Sequence, residues 1–227
     1  MKTIGSKISP IRSTDVVSIE RKYGKKNSYN WAELTDVEIW QAYKQGSKEA
    51  FIYIYKTYHQ PLYNFGMQFC FNHEMVRDCI QETFFYLQKK SKDLSDVRSI
   101  KYYLYKILRR KLIAGIEEEK KYRPARESED KRFEITISPE LKLIDSQLDE
   151  ERKSNLKIAL NKLPERQREA ILLFYYEGLT HDEVAQIMGL KADKYSRKLI
   201  YRGISTLRRL LISFILMIFG AQIISKF

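Results

Sequence analysis

Cysteine, histidine and glycine are all scarce in this chain, and each scarcity removes a class of chemistry. Two cysteines, Cys70 and Cys79, are too few for a disulfide framework and fit a reducing cytoplasm. The three histidines, His59, His73 and His181, stand apart, and none joins a cysteine or carboxylate at metal-ligand spacing. There is no glycine-rich phosphate loop. No metal, no cofactor and no catalytic activity of its own are therefore expected. Residues 1–30 are polar and basic and lack the apolar run of a signal peptide. Sustained period-two alternation is missing, which argues against strands. The only long apolar run is 210–224.

What is present is hydrophobic mass and positive charge. With 44% hydrophobic residues, the 227-residue chain has enough apolar surface for one large or two small cores. A net charge of +12 points to a polyanionic partner, either nucleic acid or an anionic membrane. The charge is segregated. Residues 101–126 carry nine Lys/Arg against three Glu, whereas 127–151 carry nine acids against three bases. Seven bases against one acid return in 191–209. Two basic bodies thus flank an acidic connector. The expected organisation is a basic flexible extension (1–34), a helical domain (35–126), a linker (127–153), a second domain (154–211) and an apolar tail (212–227).

Within both bodies the apolar residues recur at helical spacing. Thr35-Asp36-Val37-Glu38 has capping-box form, and Gly46 is a plausible stop. Phe51, Ile54, Tyr55 and Tyr58 mark a second helix, which Pro61 is expected to break before Leu62, Phe65 and Phe69. Val76, Cys79, Ile80, Phe84 and Leu87 line one side of a helix over about 75–90. Ile100, Leu104, Ile107 and Leu108 do the same over about 99–113, with Tyr103 a further core candidate. The chain reads as all-α: two small helical domains joined by a flexible acidic linker.

The other faces of two of these helices are distinctive. Asp78, Gln81, Glu82 and Phe85 stand at i, i+3, i+4 and i+7, a partly acidic stripe on a basic protein. Such a stripe is either a docking face for a basic partner or an ordinary solvated one. Lys101, Tyr102, Tyr105, Lys106, Arg109 and Arg110 place cations among aromatic rings. That combination neutralises phosphates and stacks on unpaired bases, unless the rings merely edge the core.

A helix-turn-helix signature lies further on. Leu163-Pro164-Glu165 opens a helix that buries Ala170, Ile171 and Phe174 and stops at Gly178. Thr180 and Glu183 form a second capping box, before Val184, Ala185, Met188 and a turn at Gly189. A small Ala185 four residues before Gly189 permits the close helix crossing that this motif needs. The following helix turns Leu199, Ile200, Ile204 and Leu207 inward. Lys194, Arg197, Lys198, Tyr201 and Arg202 are left outward, where a second helix meets a major groove.

These strings resemble a known family. GSKEAFIYIYKTYHQPLY (46–63), DCIQETFFYLQKK (78–90) and IKYYLYKILRRKL (100–112) are similar to the promoter-melting domain of RNA polymerase sigma factors of the extracytoplasmic-function class. LNKLPERQREAILLFYYEGLTHDEVAQIMGL (160–190) is similar to their second, helix-turn-helix domain. The resemblance implies that Asp78, Gln81 and Glu82, with Phe85 beside them, dock on the polymerase's largest subunit. It implies that Lys101, Tyr102, Tyr103, Lys106, Arg109 and Arg110 contact the melted minus-ten element. It assigns Lys194, Arg197, Lys198, Tyr201 and Arg202 to the minus-thirty-five element. The chain departs from the pattern at Tyr103, where Trp is usual, and at Arg110, where Asn is usual.

Implied partners are core RNA polymerase, promoter DNA and an anti-sigma protein, in the cytoplasm, with membrane contact only through such a partner. A stand-alone DNA-binding regulator or a membrane-surface protein are the competing classes. The first leaves the 78–85 stripe unexplained. Against the second, the fifteen residues 210–224 span about 22 Å as a helix, short of a hydrocarbon core of about 30 Å. That tail is expected to pack on the protein itself or on an inhibitory partner.

Overall fold

A computed structural model describes residues 30–69, 72–122 and 150–224. The basic extension before residue 30, Cys70 and most of the acidic linker lie outside the described residues. Among the described residues eight α-helices follow one another and no strand occurs. The chain groups into two compact units, residues 1–63 with 74–108, and residues 64–73 with 109–227.

The first unit begins with a short 3-10 turn, Trp31–Glu33, whose Trp31 ring stacks on Tyr53. Helix α1 (Asp36–Lys44) starts at the expected capping box: Thr35 Oγ1 accepts from the Glu38 amide and Glu38 accepts from the Thr35 amide. Gly46 then turns the chain with φ of +97°, a conformation that costs a Cβ-bearing residue more than glycine. Helix α2 (Lys48–Gly66) runs through Pro61 rather than ending there. Proline deprives the Thr57 carbonyl of its helical donor, but Thr57 is exposed and water can replace it. Ile54 and Leu62, two turns apart on one face and both fully buried, hold the helix across that defect.

Helix α3 (His73–Lys90) and helix α4 (Ile100–Tyr122) supply the remaining walls. Val76, Cys79, Ile80, Phe84 and Leu87 are buried from α3, and Ile100, Leu104 and Leu108 from α4. Tyr105 is also fully buried, against the expectation that it joins the basic face. The reason is the width of the stripe. Residues 100, 104, 105 and 108 fall at g, d, e and a of a heptad, a band wider than an a/d seam. At the centre stands Trp40, wholly buried, its indole donating to the Ser95 carbonyl at 3.0 Å. Asp36 accepts from the Ile100 amide at 2.7 Å and so caps the start of α4 from α1. Gln41 and Lys44 both reach Asp96, which fixes the loop that aims α4.

In the second unit, helix α5 (Glu150–Asn161) leads to α6 (Glu165–Ile171), which continues as one wider π-turn over Leu172–Tyr176. Gly178, at φ of +66°, ends it as expected. Helix α7 (His181–Ile187) starts at the expected Thr180/Glu183 capping box. Helix α8 (Asp193–Ile224) is continuous into the apolar tail. Ala159, Leu163, Ile171 and Leu207 form a core against which Leu160, Ile204, Leu210 and Leu211 pack. Leu210 and Leu211, the first two residues of the apolar run 210–224, thereby pack on this unit's own core. Among the described residues, no helix is long and apolar enough to cross a membrane.

Candidate nucleic-acid and partner interfaces

Helix α3 separates its two faces cleanly. Opposite its buried row, Asp78, Glu82 and Phe85 are exposed and Gln81 is partly so. Phe85 leaves 46% of its surface to solvent and the adjoining Tyr86 leaves 43%, so two rings border the carboxylates. Tyr86 was not singled out from the sequence. Its position next to a core leucine hid it, since Leu87 alone fixes the face there. Exposed aromatic surface and carboxylates thus share one face of the helix.

The basic side of α4 divides. Lys106 is exposed, and its Nζ donates to the Tyr102 hydroxyl at 2.6 Å while lying 5.1 Å from that ring's centroid. Lys101 Nζ lies 5.7 Å from the centroid of the Tyr105 ring. Tyr103 turns the other way, its ring edge-on to Trp40 at 5.2 Å between centroids. Burial, reinforced by the neighbouring Tyr86 hydroxyl, pushes the Tyr103 phenol up to about 12. Tyr103 is therefore half core, and Tyr102 with Lys106 forms the accessible pair. Arg110 is exposed. Arg109 is not free: within the second unit its Nε donates to Glu169 Oε1 at 2.5 Å and its Nη2 to Oε2 at 3.2 Å. The Arg109 side chain is 16% exposed and that of Glu169 4%.

A buried hydroxyl joins the two helices of the helix-turn-helix. Ser196 Oγ, in the first turn of α8, lies 2.7 Å from the carbonyl oxygens of His181 and Asp193. This ties the start of α7 to the start of α8, the two ends that set the motif's crossing angle. Gly189, at φ of +65°, makes the turn between them. A close approach elsewhere adds to this: a Cβ on Gly203 would lie 2.6 Å from Ile171 Cδ1, so a larger residue there would have to displace the Ile171 side chain where α8 rests on α6. With Ser196, Ile200, Gly203 and Leu207 inward, Lys194, Arg197, Lys198, Tyr201 and Arg202 are all exposed. Tyr201 leaves 77% of its surface open. Arg197 is braced by Asp193 at 3.2 Å, and Lys194 lies over the Tyr195 ring. Two further cations, Arg166 and Lys191, border a cleft beside this face and were not anticipated. Arg166 sits in the first turn of α6, far from the basic run in sequence, which is why charge counting passed over it. Among the described residues, no group of His, Cys, Asp or Glu could hold a metal ion.

This architecture, a helical body with an acidic-aromatic stripe and a basic-aromatic helix, followed by a helix-turn-helix, is that of a two-domain transcription factor. Residues 54–122 match the family model "Sigma-70 region 2" and residues 155–203 match "Sigma-70, region 4". Together they cover just over half the chain, in the order the sequence suggested. A curated relative, "RNA polymerase sigma factor SigV" of Bacillus subtilis (strain 168), is 27% identical over 168 residues, 73% of this chain and 93% of that protein. Among solved structures, "CnrH in complex with the cytosolic domain of CnrY" is 21% identical, with a TM-score of 0.52, over 78% of this chain and 97% of that one. The sigma factor RpoE with the anti-sigma factor NepR, from Bartonella quintana, is 22% identical with a TM-score of 0.52, over 72% of this chain and 95% of that one. At such identities the two structures speak to the fold. The chain belongs to the sigma-70 family of RNA polymerase sigma factors, in the extracytoplasmic-function class. It acts with core RNA polymerase and promoter DNA in promoter recognition and transcription initiation.

Proposed function

We propose that the three faces divide the work of initiation among them. The α3 stripe, Asp78, Gln81, Glu82 and Phe85 with Tyr86 added, docks on core polymerase. On α4, Tyr102, Lys106 and Arg110, with Lys101 alongside, hold the opened strand: the ring stacks on an unpaired base while the cations meet phosphates. Tyr103 supports this face from the core. Arg109 reaches nucleic acid only once it has left Glu169. On α8, Lys194, Arg197, Lys198, Tyr201 and Arg202 lie in the major groove of duplex DNA. The observation that best supports this reading is the exposure of all five α8 side chains on a helix whose start is clamped to α7 by Ser196.

The chain supplies recognition and no chemistry; bond formation belongs to the polymerase. It works in the cytoplasm, where an anti-sigma protein holds it, as NepR and CnrY are bound to the two similar structures. Pull-down of core polymerase, followed by transcription from the promoter so bound, tests the whole reading. Replacing Asp78 and Glu82 by Arg should weaken polymerase binding, with helix content and duplex binding kept. Loss of one partner of a desolvated charge pair typically costs about 2–5 kcal/mol, a weakening of tenfold or more. Unchanged polymerase affinity in that double variant removes the stripe from the interface.

A further inference from the structure

The helix-turn-helix carries a concavity that the α8 face does not account for. Arg166 from the start of α6, Lys191 from the turn, and Lys198 and Arg202 from α8 surround a cleft of about 480 Å³, with Leu190 and Leu199 also lining it. The cations come from three separate elements, so their convergence is a product of the fold and not of one basic run. We propose that this cleft seats a phosphodiester group of the duplex backbone, and that Arg166 and Lys191 are its sequence-independent clamp. The inference rests on the reading of α8 as the duplex-binding helix and extends it to a second strand contact.

Three observations carry it. First, the four side chains are exposed and, among the described residues, none is paired with a carboxylate. Arg197 on the same helix shows the contrast, since Asp193 holds it at 3.2 Å. Second, Arg166 gains nothing from its own helix. A cation in the first turn faces the positive end of the peptide dipoles, where an acid would be favoured. Third, the spacing of the clamp is fixed by packing. Gly203 brings α8 onto Gln167 and Ile171 of α6, and a Cβ there would lie 3.4 Å from Gln167 Cβ. Arg166 and Arg202 immediately precede Gln167 and Gly203, so both residues stand beside the contact between the two helices, and both line the cleft. Two planar forks on a cleft that Lys191 and Lys198 also border suit an anion with several acceptor oxygens. A backbone phosphate beside a major-groove helix supplies one.

The test uses holoenzyme assembled from the full chain. Its probes are a duplex enriched by that holoenzyme from a random pool and a shuffled duplex of equal length. Binding is followed against salt. Arg166→Gln should weaken both probes by the same factor, leave their ratio unchanged, and lower the log–log salt slope by about 0.9. Lys191→Gln should act in the same sense. Arg166→Lys should keep the slope and lose part of the affinity, because charge remains while the fork is gone. Inorganic phosphate at constant ionic strength should not displace the duplex; if it does, the cleft is a site for free anions and the proposal is wrong. A changed ratio between probes in Arg166→Gln would make Arg166 a base reader and overturn the clamp. Unaltered affinity and slope in Arg166→Gln, with weakened binding in Lys198→Gln and Arg202→Gln, would refute the clamp and leave the α8 reading standing. If none of these variants alters duplex binding, the α8 reading itself fails. Matching thermal melts confirm that each variant is folded.

Discussion

Arg109 and Glu169 form a bidentate ion pair, 60 residues apart in sequence, with Glu169 almost wholly removed from water. The pair takes an arginine out of the basic run on α4 and gives it to the second compact unit. Desolvating two charges offsets much of their attraction, so the pair adds little net stability, but breaking one side leaves the other stranded.

Glu169→Gln should therefore destabilise the protein by about 1–3 kcal/mol, since Arg109 retains partial solvent access. Arg109→Gln in the same background should add little further loss. The measurement is a double-mutant cycle by thermal or urea unfolding; full additivity of the two changes would mean that the pair is not formed in solution. If Arg109 leaves Glu169 to bind nucleic acid, Glu169→Gln should also raise the affinity for single-stranded DNA.

Tyr102 and Tyr103, adjacent in sequence, should behave oppositely. Tyr103→Ala removes a ring packed on Trp40 and should lower stability by about 2–4 kcal/mol, as large-to-small core changes do. Tyr102→Ala should leave the melting temperature close to that of the parent and impair strand opening, read by permanganate reactivity of promoter thymines. Normal opening in a folded Tyr102→Ala variant removes that ring from the single-strand face.

The contrast between these residues shows where the sequence was legible. Both capping boxes, Thr35/Glu38 and Thr180/Glu183, were readable because each is complete within four residues. The order of the helices, the buried rows of α3 and the outward set on α8 followed from periodicity alone. What periodicity missed was settled by partners distant in the chain. Tyr105 looked like a surface ring until the breadth of the α4 core band enclosed it. Pro61 looked like a helix end, and the buried Ile54 and Leu62 carried the helix through it. Ser196 is an unremarkable serine until His181, fifteen residues earlier, offers its carbonyl. The Arg166 cleft needed three elements to meet before it existed.

The tail yields a graded expectation. Leu210 and Leu211 pack on the core that contains Leu163, Ile171 and Leu207, whereas Ile212 is half exposed. Truncation after Arg209 should lower the melting temperature clearly, because two leucines leave that core. Truncation after Ile212 should lower it much less. Equal losses from both would mean that residues beyond 212 carry the whole effect and the two leucines add nothing. Equal stability of both with the parent would mean that the leucine contacts carry no net weight.

Acid should loosen the helix-turn-helix through His181. Its ring stacks on Phe174 at 4.2 Å between centroids, and its Nδ1 is buried without a hydrogen-bond partner among the described residues. Burial first, and the Arg197 charge second, hold its pKa below the ordinary value of 6.5, while Asp193 pulls it back up in part. The folded state thus favours the neutral ring. Above 6.5 the ring is neutral in both folded and unfolded chains, and its contribution to stability is fully present. As pH falls below that value the unfolded chain takes up the proton more readily than the folded one, and stability is lost until the folded pKa is passed. His59 acts in the same direction in the first unit, since burial lowers its pKa too. Melting temperatures of the parent, His181→Asn and His59→Asn proteins at about pH 7.5 and about pH 5.5 separate the two. Each single variant should show a smaller acid-induced drop than the parent. An undiminished drop in His181→Asn would place the proton uptake elsewhere, and the unpartnered Nδ1 would then have no bearing on the stability of the motif.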